Sequence, residues 1–144
     1  MATVHVEETR EGKFIQHITM GEHTLTADAP ASSGGDDRGP NPYDLLLAAL
    51  GTCTTMTLRM YADHKKWPLE RVAVHLTQEK IHATDCEQCE GETGKVDRIE
   101  RELELHGPLD DTQRERLLQI AGRCPVHRTL MEEKQILTRL RENS

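Results

Sequence analysis

The chain has almost no aromatic side chains: one Trp, two Tyr and one Phe in 144 residues. A base-stacking platform of the kind that single-strand nucleic-acid binders use is therefore not expected. Positive charge is in deficit as well. Eighteen Lys and Arg face 25 Asp and Glu, a formal net charge of −7 at pH 7, which disfavours nonspecific binding to nucleic acid or to an anionic membrane. No stretch reads as the roughly 20 apolar residues that a bilayer-crossing helix needs. The start, "MATVHVEETREGKF", is charged almost at once and shows no apolar run of a secretory leader. A cytoplasmic protein is the expectation, and in that compartment four cysteines more often serve catalysis or metal binding than act as staples. The length fits a single domain over residues 1–144, or one subunit of an intimate oligomer.

The order of elements is readable. "TVHVEET" and "FIQHITM" are two short strands around a turn at "REGK", and "HTLTAD" follows Gly21 as a third, which suggests an antiparallel meander. "APASSGGDDRGPNP", residues 29–42, is a loop rich in small residues, Gly and Pro. A helix should open just past Asn41, a suitable cap, with Pro42 in the first turn where its missing donor costs nothing. Leu46, Leu50, Cys53, Thr57 and Met60 recur at three- and four-residue steps, so they are expected to share an inward face. Gly51 weakens this helix by about 1 kcal/mol relative to alanine, which suggests close approach by another element.

Past Pro68, "RVAVHLTQEKIH" alternates at Val72, Val74 and Leu76, and "VDRIERELELHG" alternates at Ile99, Leu103 and Leu105; both read as strands. A helix starting near Asp110, Asp111 or Thr112 should bury Leu117, Leu118, Ile120 and Ala121. Cys124 and Pro125 break it, a short helix resumes through Leu130, and "QILTRLR" is expected as a last strand. The fold class is α+β, with helices gathered against sheet.

Each thiol has two readings. Cys53 is either a small core filler, since free cysteine is among the most buried residue types, or a reactive sulfur. Cys124 precedes Pro125 at the break between two helices, where a sulfur either caps the second helix or is favoured as a thiolate. A peroxide-reducing thiol needs a thiolate nucleophile, a second thiol to trap the sulfenic acid, and a cation to hold the charge. His127 and Arg128 follow Cys124 by three and four residues and are either near it on one helix face or a solvated pair.

"GPNPYDLLLAALGTCTTMTLRMYA" together with "IAGRCPVHRTL" resembles the osmotically inducible protein C and organic hydroperoxide resistance family (OsmC/Ohr), over nearly the whole chain. The resemblance implies an OsmC-like fold in an intertwined homodimer, with the long helices central and two sites at the subunit interface. It implies a thiol peroxidase that reduces organic hydroperoxides in oxidative-stress defence. Cys53 would attack, Cys124 would resolve through a Cys53–Cys124 disulfide, and a dithiol such as a lipoylated protein would restore both thiols. No cofactor is implied. The peroxidatic branch carries a glutamate directly after N-P, where this chain has Tyr43; Asp44 is the next carboxylate. The branch's arginine comes from the amino-terminal strands, and its nearest counterpart here is Arg10, with Lys13 as competitor. A lysine lacks the planar fork that a carboxylate can hold.

"HATDCEQCE" adds H-x3-C-x2-C, with His82, Cys86 and Cys89. Two thiolates at this spacing can grip zinc, with His82 as third ligand and Glu90, His75, His106 or a partner subunit supplying the fourth, but a lone C-x-x-C is a weak zinc signal. A reversible Cys86–Cys89 disulfide and quiet thiols are the other readings. The alternatives to a peroxidase are thus a thiol redox or zinc module built on this loop, and a noncatalytic carrier of a small apolar ligand.

Overall fold

The structure, a computed structural model, describes residues 1–86 and 94–142. Among these residues, five strands and three α-helices follow in the order β1 (His5–Glu8), β2 (Gln16–Met20), β3 (His23–Ala27), α1 (Pro42–Lys65), β4 (Arg71–His82), β5 (Lys95–His106), α2 (Asp111–Ala121) and α3 (Pro125–Met131), with short 3-10 turns at Ala31–Ser33 and Ala83–Asp85. This is the expected α+β order as far as α3. The strands form a three-stranded sheet, β1-β2-β3, and a two-stranded one, β4-β5. The chain divides into two compact units, residues 1–49 with 77–99, and residues 50–76 with 100–144.

The first unit holds the antiparallel meander. Its register pairs Val6 with Ile18 and Ile18 with Leu25, which puts apolar residues on one face at the period of two that strands impose. Ile15, Ile18 and Ala27 are its buried apolar positions. The loop after β3 is tied down by Asp28, only 3% exposed. Its carboxylate accepts from the backbone N–H groups of Ala29 (2.7 Å), Asp36 (3.2 Å) and Arg38 (3.1 Å). Burial raises this carboxyl's pKa, but the three amides and the charge of Arg38 outweigh it, and the net direction is down.

In the second unit, Leu58 and Ala62 of α1 pack with Leu69, Leu109 and the α2 residues Leu117, Ile120 and Ala121, flanked by Tyr61, Trp67, Val72, Leu103 and Leu105. The helix α2 starts where expected. Asp110 caps it, accepting from Gln113 N–H at 2.7 Å, while the Gln113 side chain accepts from Asp110 N–H at 3.0 Å, a reciprocal box that satisfies two orphan donors. Gly107 (φ 137) turns the chain between β5 and α2, and a Cβ there would run into the Pro68 carbonyl.

Three expectations change. The buried positions of α1 are Leu50, Gly51, Thr54, Leu58 and Ala62, so the inward face is turned from the one that Leu46, Cys53, Thr57 and Met60 would define. Met60 is 72% exposed. The cause is Gly51: a Cβ there would lie 2.8 Å from Leu76 Cδ1 and 3.4 Å from Val74 Cγ1, so β4 sits against the helix at the glycine and fixes its rotation. The approaching element is a strand.

Second, α1 is the one helix among the described residues that is long and apolar enough, by length and composition, to cross a bilayer. The count of apolar residues missed this because Ala48, Ala49 and Cys53 lift the mean hydropathy between larger side chains. Here the helix buries Leu58 and Ala62 completely within its unit. Third, no strand forms over "QILTRLR". Residues 132–142 are irregular and exposed, with Ile136 at 84%, Leu137 at 81% and Leu140 at 91%, because no ladder partner meets them among the described residues.

Candidate active site

Cys124 is the N-cap of α3, with Pro125 at the first helical position. Proline supplies a preset φ and lacks a donor that would be unpaired there, so the C-P pair starts the helix and fixes the sulfur at its end. Cys124 is fully buried, and its sulfur accepts from the His127 N–H at 3.2 Å. Its thiol is free, as is that of Cys53.

Cys53 lies on α1, partly buried. The next residue, Thr54, makes the contact with the second motif: it is fully buried, and its Oγ1 lies 3.9 Å from Cys124 Sγ. One step along a helix turns a side chain by about 100°, so Cys53 flanks this contact on the more exposed side. The Thr54 hydroxyl also donates to the Leu50 carbonyl at 2.7 Å, the bond back to position i−4 that threonine makes inside helices.

Arg101 of β5 joins these residues. Its guanidinium donates to Thr54 Oγ1 at 3.1 Å and meets His127 Nδ1 at 3.2 Å. Arginine is always a donor, so Nδ1 accepts and is unprotonated. Burial, followed by the charge of Arg101, lowers the His127 pKa, in keeping with a neutral imidazole. His127 therefore does approach Cys124, by its main chain, while Arg128 faces outward in an exposed pair with Glu132 at 3.8 Å.

Sequence reasoning missed both Thr54 and Arg101. The signal for Arg101 was in the alternation of β5. It stands two residues from Ile99 and from Leu103, on the same side of the strand, and is partly buried like them. A cation in step with an apolar face has to find acceptors.

Arg10 and Asp44 belong to the first unit. Arg10 stands at φ 65 in the turn after β1, and its exposed guanidinium pairs with Glu8 at 3.8 Å. Asp44 closes the start of α1: its N–H donates to Asn41 Oδ1 at 2.9 Å, and its carboxylate accepts from Asn41 N–H at 3.0 Å. At the third helical position it does the capping work that a glutamate does in the commonest form of this box. Tyr43 is half exposed.

In the third motif, His82 ends β4 and Cys86 is disulfide-bonded. A sulfur so bonded is no thiolate and holds no zinc. Cys89 and Glu90 lie outside the described residues, and among the described ones no group of three His, Cys, Asp or Glu is placed to hold a metal ion.

The site thus sets a buried sulfur against one amide donor, a hydroxyl and, one bond further on, a guanidinium. The chain matches the family model described as OsmC-like protein over residues 34–139, and it belongs to that family. Among solved structures it is similar to an OsmC-like protein from Mycoplasma pneumoniae, at 20% identity over 91% of this chain and 87% of that one, with a TM-score of 0.70. It is also similar to an organic hydroperoxide resistance protein from Legionella pneumophila (20% identity, 90% and 88% covered, TM-score 0.66) and to the organic hydroperoxide resistance protein OhrB of Bacillus subtilis (19%, 90% and 89%, TM-score 0.61). No curated protein matches the chain. At these identities the solved structures establish the OsmC-like fold.

Proposed function

We propose that this chain is a thiol peroxidase that reduces organic hydroperoxides to alcohols. The observation that carries this reading is the pairing of two free thiols with the contact between Thr54, the residue after Cys53, and the Cys124 sulfur. The names of the Legionella pneumophila and Bacillus subtilis neighbours support the substrate class. The Cys53 thiolate attacks the peroxide oxygen, the O–O bond breaks, and the alkoxide takes a proton and leaves as the alcohol. Cys53 is then a sulfenic acid. Cys124 attacks its sulfur, water leaves, and a Cys53–Cys124 disulfide forms, the two thiols having given up the two electrons that reduced the peroxide. A dithiol, such as a lipoyl group on a protein, returns both thiols by exchange.

In this reading Arg10 and Asp44 are the cation and carboxylate that serve Cys53, and residues 1–144 work as one domain, in the cytoplasm. A homodimer fits the apolar surface that one chain leaves uncovered: Met56 at 65% and Met60 at 72% on α1, and Ile136, Leu137 and Leu140 beyond α3. Patches of this kind mark interfaces. One observation favours a second reading, a dithiol–disulfide exchange module: Cys86 is disulfide-bonded.

Counting free thiols before and after one equivalent of cumene hydroperoxide tests the peroxidase. Loss of both thiols, with Cys124→Ser leaving a sulfenic acid that dimedone traps on Cys53, is the expected result. Unchanged thiols overturn it, and exchange of the Cys86 disulfide with an added dithiol that proceeds equally in Cys53→Ser supports the second reading.

A further inference from the structure

Arg101 has no part in the two-thiol scheme above, yet of the hydrogen-bonded groups around Cys124 it is the one whose charge is permanent. The sulfur has two neighbours that hydrogen-bond to it, the His127 amide at 3.2 Å and the Thr54 hydroxyl at 3.9 Å. Arg101 holds both of their residues, through Thr54 Oγ1 and His127 Nδ1. The threonine hydroxyl has a single proton. With Arg101 occupying a lone pair on Oγ1, that proton has two destinations, the Leu50 carbonyl at 2.7 Å or the Cys124 sulfur. A neutral thiol leaves it on Leu50; a thiolate, the stronger acceptor, draws it over, because hydrogen bonds to ionised acceptors are roughly twice as strong as neutral ones. Arg101 favours this second state twice, by its positive charge in a partly buried place and by polarising the hydroxyl it donates to. Its second N–H keeps His127 Nδ1 unprotonated, so the ring presents no competing donor there.

We propose that Arg101 is a positioning residue for the buried thiol, setting the reactivity of Cys124 through the Thr54 hydroxyl and the His127 ring that its guanidinium spans. The inference deepens the peroxidase reading, on which it rests only for the reaction that this reactivity serves. The effect on Cys124 itself is measurable with no peroxide present.

The experiment follows modification of Cys124 in the full-length protein by methyl methanethiosulfonate against pH, with the modified residue read by peptide mass spectrometry. The half-maximal pH reports thiolate formation independently of access. Arg101→Gln is expected to shift that midpoint up by about one unit, a roughly tenfold loss of thiolate on the lower limb. Arg101→Lys keeps the charge but not the fork, and an intermediate shift is expected. Thr54→Val cuts the relay and is expected to shift the midpoint in the same direction. His127, followed by its ring NMR signals, should titrate higher in Arg101→Gln than in Arg101→Lys, which keeps the charge, whereas loosening of the fold, which relieves burial, would raise both alike. An unmoved midpoint in whichever of these variants folds overturns the proposal. If hydroperoxide is not consumed but the midpoint moves, the peroxidase reading fails and the role of Arg101 stands; the opposite result removes Arg101 alone.

Discussion

The Thr54 hydroxyl meets the Cys124 sulfur across 70 residues of chain, at 3.9 Å. The same oxygen also bonds Arg101 and the Leu50 carbonyl. Valine has nearly the shape of threonine but no hydroxyl. Thr54→Val should therefore cost about 1–3 kcal/mol, as expected when a partly buried donor loses its acceptor. Urea unfolding of wild type and variant measures it; equal midpoints would show that Arg101 finds another acceptor at no cost.

Asp28 makes the first unit sensitive to acid. Its carboxyl pKa is lowered in the folded state, so its contribution is present above the unfolded carboxyl's pKa and is lost as pH falls through the lower folded value. Asp28→Asn removes the charge that three backbone N–H groups hold. The variant should be less stable near neutral pH, with a flatter decline between about pH 5 and pH 3. Denaturant midpoints across that range decide it, and parallel curves for the two proteins would assign the acid sensitivity to other groups.

Two glycines should respond differently to alanine. At Gly107 the new Cβ meets the Pro68 carbonyl, and the φ of 137° is one that side chains rarely adopt; strain alone is about 1–3 kcal/mol. At Gly51 the nearest atom is the movable methyl end of Leu76, and a helix gain of about 1 kcal/mol opposes the shift it must make. Gly107→Ala should lower the melting temperature clearly, while Gly51→Ala should leave it close to wild type. A larger group, as in Gly51→Leu, has to displace β4 and should destabilise.

Leu58 is completely buried among α1 and α2 residues. Truncation to alanine should cost about 2–5 kcal/mol, from lost burial and the cavity left behind. Calorimetry of Leu58→Ala measures this, and a loss under about 1 kcal/mol would mean that the cluster collapses to fill the space.

Much of this was legible in the residues. Strand alternation, the Asn41-Pro42 start and the Cys124-Pro125 break are local signals that follow from backbone geometry, and each reappears in the structure. The rotation of α1 was not legible, because it is set by β4 packing on Gly51, a contact between elements. The strand expected over "QILTRLR" had the right alternation, but alternation does not supply a pairing partner. At the site, the Cys124 cap was readable from spacing, while the approach of His127 was one of two readings that spacing left open. Thr54 and Arg101 were hidden, since a threonine inside a helix and an arginine within a charged strand are ordinary until the fold brings them together.

The bond from Thr54 to the Leu50 carbonyl gives α1 a built-in reporter. A proton drawn toward sulfur has to leave that carbonyl, so the ionisation of Cys124 is transcribed into the main chain one helical turn before Thr54. The carbonyl carbon-13 resonance of Leu50 should therefore follow the state of a sulfur it does not touch, and labelling that single carbon offers an unmodified optical-density-free gauge of whether the thiol is charged, neutral or spent.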